Sequence, residues 1–351
     1  MTQPQAARTV SQPPAGGGPA ASGDRALRSP KNETMRKTTS VAYALLLIGL
    51  VVAPFIGAYP VFVMKLMCFA LFASAFNLLL GYTGLLSFGH AAFLGGSAYV
   101  AGQAMKVWGL TPEIGLILGT LTGALLGWVF GVLAIRRQGI YFAMITLALA
   151  QMVFFVALQA KFTGGEDGLQ SVPRGRLFGV IDLQNDLTMY YVALVIVVAA
   201  FLLIVRTIHS PFGQVLKGIK ENEPRALSLG YDADRYKFAS FVMSATLAGL
   251  AGATKAIVFQ LASLTDVHWS MSGEVVLMTL LGGMGTIFGP LVGAFVIVGL
   301  ESYLSTGFAI GSFRFGPEWF TVLDGVIFVV CVLAFRRGIV GEITQWWASR
   351  R

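Results

Sequence analysis

The sequence predicts an all-α polytopic membrane protein of about ten transmembrane helices, with short amphipathic helices on its cytoplasmic side. Three observations lead there. Of 351 residues, 56% are hydrophobic and only 12% charged, whereas a soluble domain is about a quarter charged. The apolar residues gather into runs of about 20, the length of helix that crosses a bilayer. The basic residues gather into pairs and clusters that fall on one side when the runs alternate.

Residues 1–40 stand apart. The stretch MTQPQAARTVSQPPAGGGPAASGD is Pro, Gly, Ala and Ser without an apolar period, so it is expected to be disordered. Met35 opens MRKTTSVAYALLL, which reads as a membrane-protein start; the residues before it are expected to be an extension or to follow a misplaced start codon. A cleaved signal peptide is the rival reading. It is disfavoured because the run from Val41 is about as long as a span and the rest is equally apolar. The expected division is a disordered extension (1–40), a transmembrane domain (41–340) and a cytoplasmic tail (341–351).

Candidate spans are 41–60, 61–80, 90–107, 113–135, 140–160, 189–207, 237–262, 273–285, 287–304 and 319–335. Two are weak. The run 61–80 carries Lys65 and Asn77, and 273–285 is short and rich in terminal glycine. With the N-terminus inside, Arg36 and Lys37, Arg136 and Arg137, the cluster from Arg206 to Lys237, and the tail with Arg336, Arg337, Arg350 and Arg351 all lie in the cytoplasm. Both termini are then cytoplasmic. Lys65, Lys106, Lys161, Arg174, Arg176 and Arg314 remain on the outer side. The loop 161–188 mixes Gly and Pro turns with both charge signs and is expected to fold as an external cap.

The most charged stretch beyond residue 40 is HSPFGQVLKGIKENEPRALSLGYDADRYKFASF, His209 to Phe241. Ser210 suits an N-cap and Pro211 the first helical position. Phe212, Val215, Leu216 and Ile219 recur at helical spacing as one apolar stripe, with Gln214, Lys217 and Glu221 on the other face. A second short helix is expected from Pro224 to Gly230, and Asp232 suits the cap of the next. The stretch reads as two short capped helices, stiff enough to carry force. The alternatives are a solvated loop that only holds topology, or a helix lying among lipid headgroups.

Asn77–Gly102 contains Gly81, Gly84, Gly89, Gly95, Gly96 and Gly102. Glycine lets helices approach closely and lets a helix break, and transporters use broken helices to hold polar substrates. Gly81, Gly84, Ser87 and His90 are therefore candidates to line a path. The alternative is tight packing, and for a lone histidine a packing role is the commoner one. GGMGTIFGP, Gly282–Pro290, echoes the spacing of GYTGLLSFG, adding Gly282 and Gly285 and hinting at internal duplication.

Several classes are excluded by what is missing. No G-x-x-x-x-G-K-S/T phosphate loop occurs, so any nucleotide hydrolysis belongs to a partner. No H-E-x-x-H, Ser–Lys or His–Asp arrangement marks an enzyme. Cys68 and Cys331 lie in apolar runs, and His90, His209 and His268 are scattered, so no metal or cofactor is expected. The net charge of +8 speaks for topology and not for nucleic acid. Lys65, Lys255, Glu274, Glu301 and Asp324 fall in spans near their outer ends; the lysines are expected to snorkel, with Glu301 or Asp324 as alternative partners of Lys255.

GIKENEPRALSLGYDADRYKFASFVMSATLAGLAGA resembles the cytoplasmic coupling loop of ABC-transporter permeases, and more narrowly that of the branched-chain amino-acid permease family of the LivM type. NLLLGYTGLLSFGHAAFLGGSAYVAG, RRQGIYFAMITLALAQ followed by TGGEDGL, and LLGGMGTIFGPLVGAFVI resemble that family in the same order, over residues 41–340. The resemblance implies an importer in a bacterial inner membrane. This chain and a second, LivH-like permease would form the path. Two cytosolic ATPase subunits would bind ATP and grip the coupling helices, and an extracytoplasmic binding protein would deliver branched-chain amino acids. In ABC permeases the loop carries E-A-A-x-x-x-G. Here Pro224-Arg225-Ala226 and then Gly230 stand at those places, with Glu221 and Glu223 just before. The segment Glu221, Asn222, Glu223, Pro224, Arg225, Ala226, Leu227 to Gly230 is thus the expected ATPase contact. The remaining alternatives are an ion-coupled transporter or channel, and, within the family, urea, amides or other small polar solutes as cargo.

Overall fold

The computed structural model describes residues 47–57 and 59–305, with shorter pieces between 308 and 342. Two units are distinguished, Met1–Ala53 and Pro54–Arg351. Of the first, only an apolar helical stretch starting at Leu47 is described. The extension 1–40, most of the span 319–335 and the tail beyond 342 lie outside the described residues, as do Asp324 and Cys331.

In the second unit α1 (Pro60–Thr83), α2 (His90–Lys106), α3 (Pro112–Ala134), α4 (Ile140–Gln159) and α5 (Asp186–His209) follow one another. Then come two short helices, α6 (Pro211–Glu221) and α7 (Glu223–Ser228), the long α8 (Ala233–Phe259), and α9 (Trp269–Gly282) and α10 (Gly289–Ser305). Prolines open α1 and α3, where their missing N–H costs nothing. Five helices are long and apolar enough to cross a membrane: α1, α3, α4, α5 and α8. The expected class, a polytopic helical membrane protein, holds. The expected count of about ten full spans does not emerge among the described residues, because α2, α9 and α10 have 17, 14 and 17 residues. Each is shortened where a glycine-rich segment interrupts the helical path.

The centre of the bundle is α1 and α8, whose apolar windows are 78% and 72% buried; those of α3 and α4 are each 28% buried. A helix apolar all round suits burial on all sides, and α1 fits that description. α8 packs on α1, α2 and α3. The contact with α3 runs along Gly119, Gly123, Gly127 and Gly131. A Cβ on Gly123 would stand 2.8 Å from Gly249 Cα, and one on Gly127 2.3 Å from Ala245 Cβ. Hydrogen-only side chains let the two backbones touch, which is how helices associate without a hydrophobic driving force in lipid.

At one end the loop after α4 folds as the expected cap. β1 (Leu169–Gln170) pairs antiparallel with β4 (Leu261–Ala262), and β2 (Arg176–Leu177) with β3 (Ile181–Asp182). A third ribbon joins β5 (Phe308–Ile310) and β6 (Phe313–Phe315). Buried Arg174 pins the cap, donating to Asp186 Oδ1 at 2.6 Å and to Val258 O at 2.8 Å. At the opposite end α6 and α7 form an elbow between α5 and α8.

Candidate functional site

The elbow is built by three caps. Ser210 Oγ accepts from Gly213 N at 3.4 Å, Asn222 Oδ1 from Arg225 N at 3.0 Å, and Asp232 Oδ1 from Arg235 N at 3.3 Å. Two of these caps are the expected ones; Asn222 moves the start of the second helix to Glu223. Gly230 takes φ +88°, which halts α7 and turns the chain. Ile219, Ala226 and Ala233 bury together, with Val215 and Tyr236 packed on them, so α6, α7 and the start of α8 move as one piece.

Not every residue of the expected ATPase contact faces outward. Ala226 is in that small core. The Glu223 carboxylate is engaged within the chain, by Lys237 at 2.5 Å and by Gln138 at 3.4 Å, where it ties α7 to α8 and to the α3–α4 turn. Glu221, Asn222, Pro224, Arg225, Leu227 and Gly230 are exposed. Leu227 and Leu229, 54% and 70% exposed, form an apolar tip beside Arg225.

The elbow reaches the bundle through lysines. Lys220 Nζ donates to the Gly81 carbonyl at 2.6 Å, near the end of α1. The last four carbonyls of a helix lack intrahelical donors, and a cation there also meets the negative end of the helix dipole. Lys217 Nζ lies 5.6 Å from the Tyr82 ring centre. Gly84 ends α1 with φ +80°; a Cβ there would come within 3.1 Å of Lys220 Cγ. Burial moves the Lys220 ammonium below the ordinary lysine range, opposed by the Glu221 carboxylate.

The chain then runs without regular structure from Gly84 to Gly89. Phe88 N donates to Thr146 Oγ1 of α4 at 3.2 Å and Gly89 N to Ser87 Oγ within the segment at 3.2 Å, while Ala91 N, in the first turn of α2, donates to Ser272 Oγ of α9 at 2.9 Å. Irregular backbone inside a membrane protein is tolerated under just this condition. The second glycine segment, between α9 and α10, meets the first through Asn77. Its side chain accepts from Gly285 N at 2.9 Å and donates to Thr286 O at 2.8 Å. Gly81 lies against the same loop, where an added Cβ would be 2.7 Å from Gly285 N.

Gly81 and Gly285 are thus brought together, Gly282 packs on Gly289 and Gly293, and His90 is held elsewhere. Ser244 donates to Ala75 O at 2.5 Å, which leaves His90 Nε2 as donor to Ser244 Oγ at 2.9 Å. Ala75 is eight residues before the end of α1, so the His90 side chain is anchored about two turns inside that end. His90 is fully buried and meets Phe76, Phe93 and Phe241 edge-on. Gly81, Ser87, His90 and Gly282 are all closed off from solvent in this conformation.

The spans' ionisable groups pair differently from expectation. Lys65 pairs with Glu301 at 2.7 Å, and Lys255 with Asp266, beyond the end of α8. Both lysines are tethered rather than snorkelling. Among the described residues no group of His, Cys, Asp and Glu could hold a metal ion.

Two features went unread in the sequence. Asn77 counted as a blemish in a span, yet an amide amid apolar residues is itself a signal of a buried partner. The glycines of α3 recur at every fourth position from Gly115 to Gly131, a small-residue face legible without coordinates.

The family model described as "Branched-chain amino acid transport system / permease component" matches residues 59–332. The chain is 28% identical over 255 residues to the high-affinity branched-chain amino acid transport system permease protein LivM of Escherichia coli K12, covering 66% of this chain and 60% of that protein. It is 25% identical over 296 residues to the probable branched-chain amino acid transport permease protein LivH of Methanocaldococcus jannaschii, covering 77% and 86%. It is 28% identical over 255 residues to the ribose import permease protein RbsC of Bacillus subtilis, covering 69% and 73%. It spans 60% of the length of the LivM relatives it matches. No solved structure matches it. The matched range takes in both glycine segments, the elbow and all five full-length helices, and the chain belongs to the branched-chain amino acid ABC permease family, whose members are transport permeases and not enzymes.

Proposed function

We propose that this chain is a path-forming permease subunit of an ABC importer for branched-chain amino acids. It works beside a second, LivH-like permease subunit. Two cytosolic ATPases bind the ATP and hold the elbow at Arg225, Leu227 and Leu229, and an extracytoplasmic binding protein delivers the cargo. The chain itself carries no cofactor. It sits as a multi-pass protein in a bacterial inner membrane, elbow and termini in the cytoplasm. That orientation is supported by the elbow end gathering Arg136, Arg137, Arg206, Lys217, Lys220, Arg225, Arg235 and Lys237.

The single observation that carries the reading is the Lys220–Gly81 bond. It joins a rigid exposed elbow to the last turn of the most buried span, just before its glycine break. A displacement of the elbow by a partner is thereby transmitted to α1 and, through Asn77, to the α9–α10 loop.

The test is uptake of radiolabelled leucine, isoleucine and valine by proteoliposomes holding the full complex, with and without its ATPases. Uptake strictly dependent on the ATPases supports the reading. Accumulation without them overturns it in favour of an ion-coupled transporter. A ligand screen on the binding protein by thermal shift settles the cargo: response to urea, an amide or a sugar alone would replace the branched-chain assignment.

A further inference from the structure

The end of the bundle opposite the elbow holds a feature that coupling does not use. Two ammonium groups lie near the ring of Phe69 of α1, Lys255 Nζ at 5.0 Å and Lys65 Nζ at 5.9 Å from its centre. The two ammonium groups are therefore no more than about 11 Å apart. Each has its own carboxylate, and the two pairs lie at different depths. The Lys65 and Glu301 side chains are 25% and 33% exposed, those of Lys255 and Asp266 14% and 3%. Close by, the Tyr99 hydroxyl is buried with no hydrogen-bond partner. Tyr99 is 4% exposed and lies within electrostatic reach of Asp266. It stands one turn beyond Gly95, where an added Cβ would be 2.8 Å from the Asp266 backbone carbonyl carbon.

Paired charges at such depth contribute little net stability, since apolar residues of similar volume serve as well. An unsatisfied buried hydroxyl is a cost. A ligand that brings one positive and one negative group would use all of these at once. We propose that the Lys255–Asp266 pair, with Tyr99 beside it and the Lys65–Glu301 pair at its rim, is a binding station for a zwitterionic α-amino acid. The ligand's carboxylate replaces Asp266 at the Lys255 ammonium and takes the Tyr99 hydroxyl. Its ammonium replaces Lys255 at the Asp266 carboxylate. In the unliganded state the side chains close on each other, which keeps two charges from standing unpaired in an apolar bundle. The proposal rests on the amino-acid reading above and adds where the permease itself recognises the cargo.

The experiment uses the assembled permease–ATPase complex in nanodiscs without its binding protein, and leucine, isocaproate and isoamylamine as probes. Wild-type complex should be stabilised against heat by leucine and not by isocaproate, which lacks the ammonium, or isoamylamine, which lacks the carboxylate. The double variant Lys255→Met with Asp266→Leu removes the pair without stranding a charge, and should lose the leucine response. Tyr99→Phe, a smaller change that keeps the ring, should weaken leucine binding about threefold, the worth of one neutral hydrogen bond. In proteoliposomes the double variant should cut ATP-driven leucine uptake by about tenfold. Unchanged leucine response in Tyr99→Phe and in the double variant overturns the site, as does a wild-type complex that leucine does not stabilise. If the double variant does not assemble, Tyr99→Phe decides alone. A wild-type complex that transports leucine while the variants match it rejects this station only. One that transports no amino acid rejects the earlier reading as well.

Discussion

Lys220 donates from Nζ to the carbonyl oxygen of Gly81 at 2.6 Å, tying the elbow helix α6 to the end of the most buried span. The same turn of α1 touches the α9–α10 loop, because Asn77 bonds to both Gly285 and Thr286. Two glycine segments far apart in sequence are thereby one mechanical unit, with the elbow as its handle.

Lys220→Met should uncouple the handle. ATP-driven uptake is expected to fall about tenfold, the loss of one bond to a charged group, while ATP hydrolysis by the partner subunits continues. Lys220→Arg, which keeps a cation at the carbonyl, should recover much of the uptake. Hydrolysis and uptake measured on the same proteoliposomes decide it; equal loss of both would mean that the elbow has simply come apart.

The same lysine has a signature in alkali. Its ammonium is held below the ordinary 10.5 by burial. Folding thus disfavours the protonated form, and between the lowered pKa and 10.5 the unfolded chain binds more protons. Stability contributed by Lys220 should therefore rise with pH through that window, and the penalty should be full below it. Melting temperatures of wild type and Lys220→Met, compared from neutral pH upward, should show the wild type gaining on the variant. A constant gap would remove the argument.

Asn77→Leu keeps the bulk of the side chain but leaves Gly285 N and Thr286 O unserved. Both groups are part-buried, so each left unpaired costs about 1 kcal/mol, the low end for a buried group. Thermal unfolding in detergent should register that loss, and uptake should fall further than stability does. Full uptake by Asn77→Leu would show that the two glycine segments move independently.

Gly127→Val would set a branched side chain against Ala245, already 2.3 Å from an added Cβ. Overpacking of this kind costs about 1–3 kcal/mol. Gly299→Ala, inside α10 at a site with open space, is the control and should be neutral to slightly stabilising. If both variants melt alike, the α3–α8 contact does not depend on glycine at this position.

Leu227→Ser with Leu229→Ser changes only the exposed tip of the elbow. Membrane insertion and the melting of the permease should be unchanged, and co-purification of the ATPases should be lost. Replacing the whole stretch Arg225–Leu229 is a blunter test, because it would also remove Ala226 from the small core that holds the elbow rigid. Retained ATPase binding in the double serine variant would move the contact to another surface.

The amino-acid sequence by itself determined the class of this protein, most helix positions, and the elbow. These are local matters. Apolar runs of span length, Ser210 and Asp232 at caps, and Gly230 at a turn each act through the few residues beside them. The family motifs could be read for the same reason, in linear order. Tertiary structure alone decided which helices fall short of a full span, that His90 is sealed in an aromatic cage, and that Glu223 faces inward to Lys237. It also chose Asp266 over Glu301 as the partner of Lys255. The reason is that a buried polar group or charge takes whichever partner the packing of distant segments places within reach, and sequence spacing carries no record of that distance.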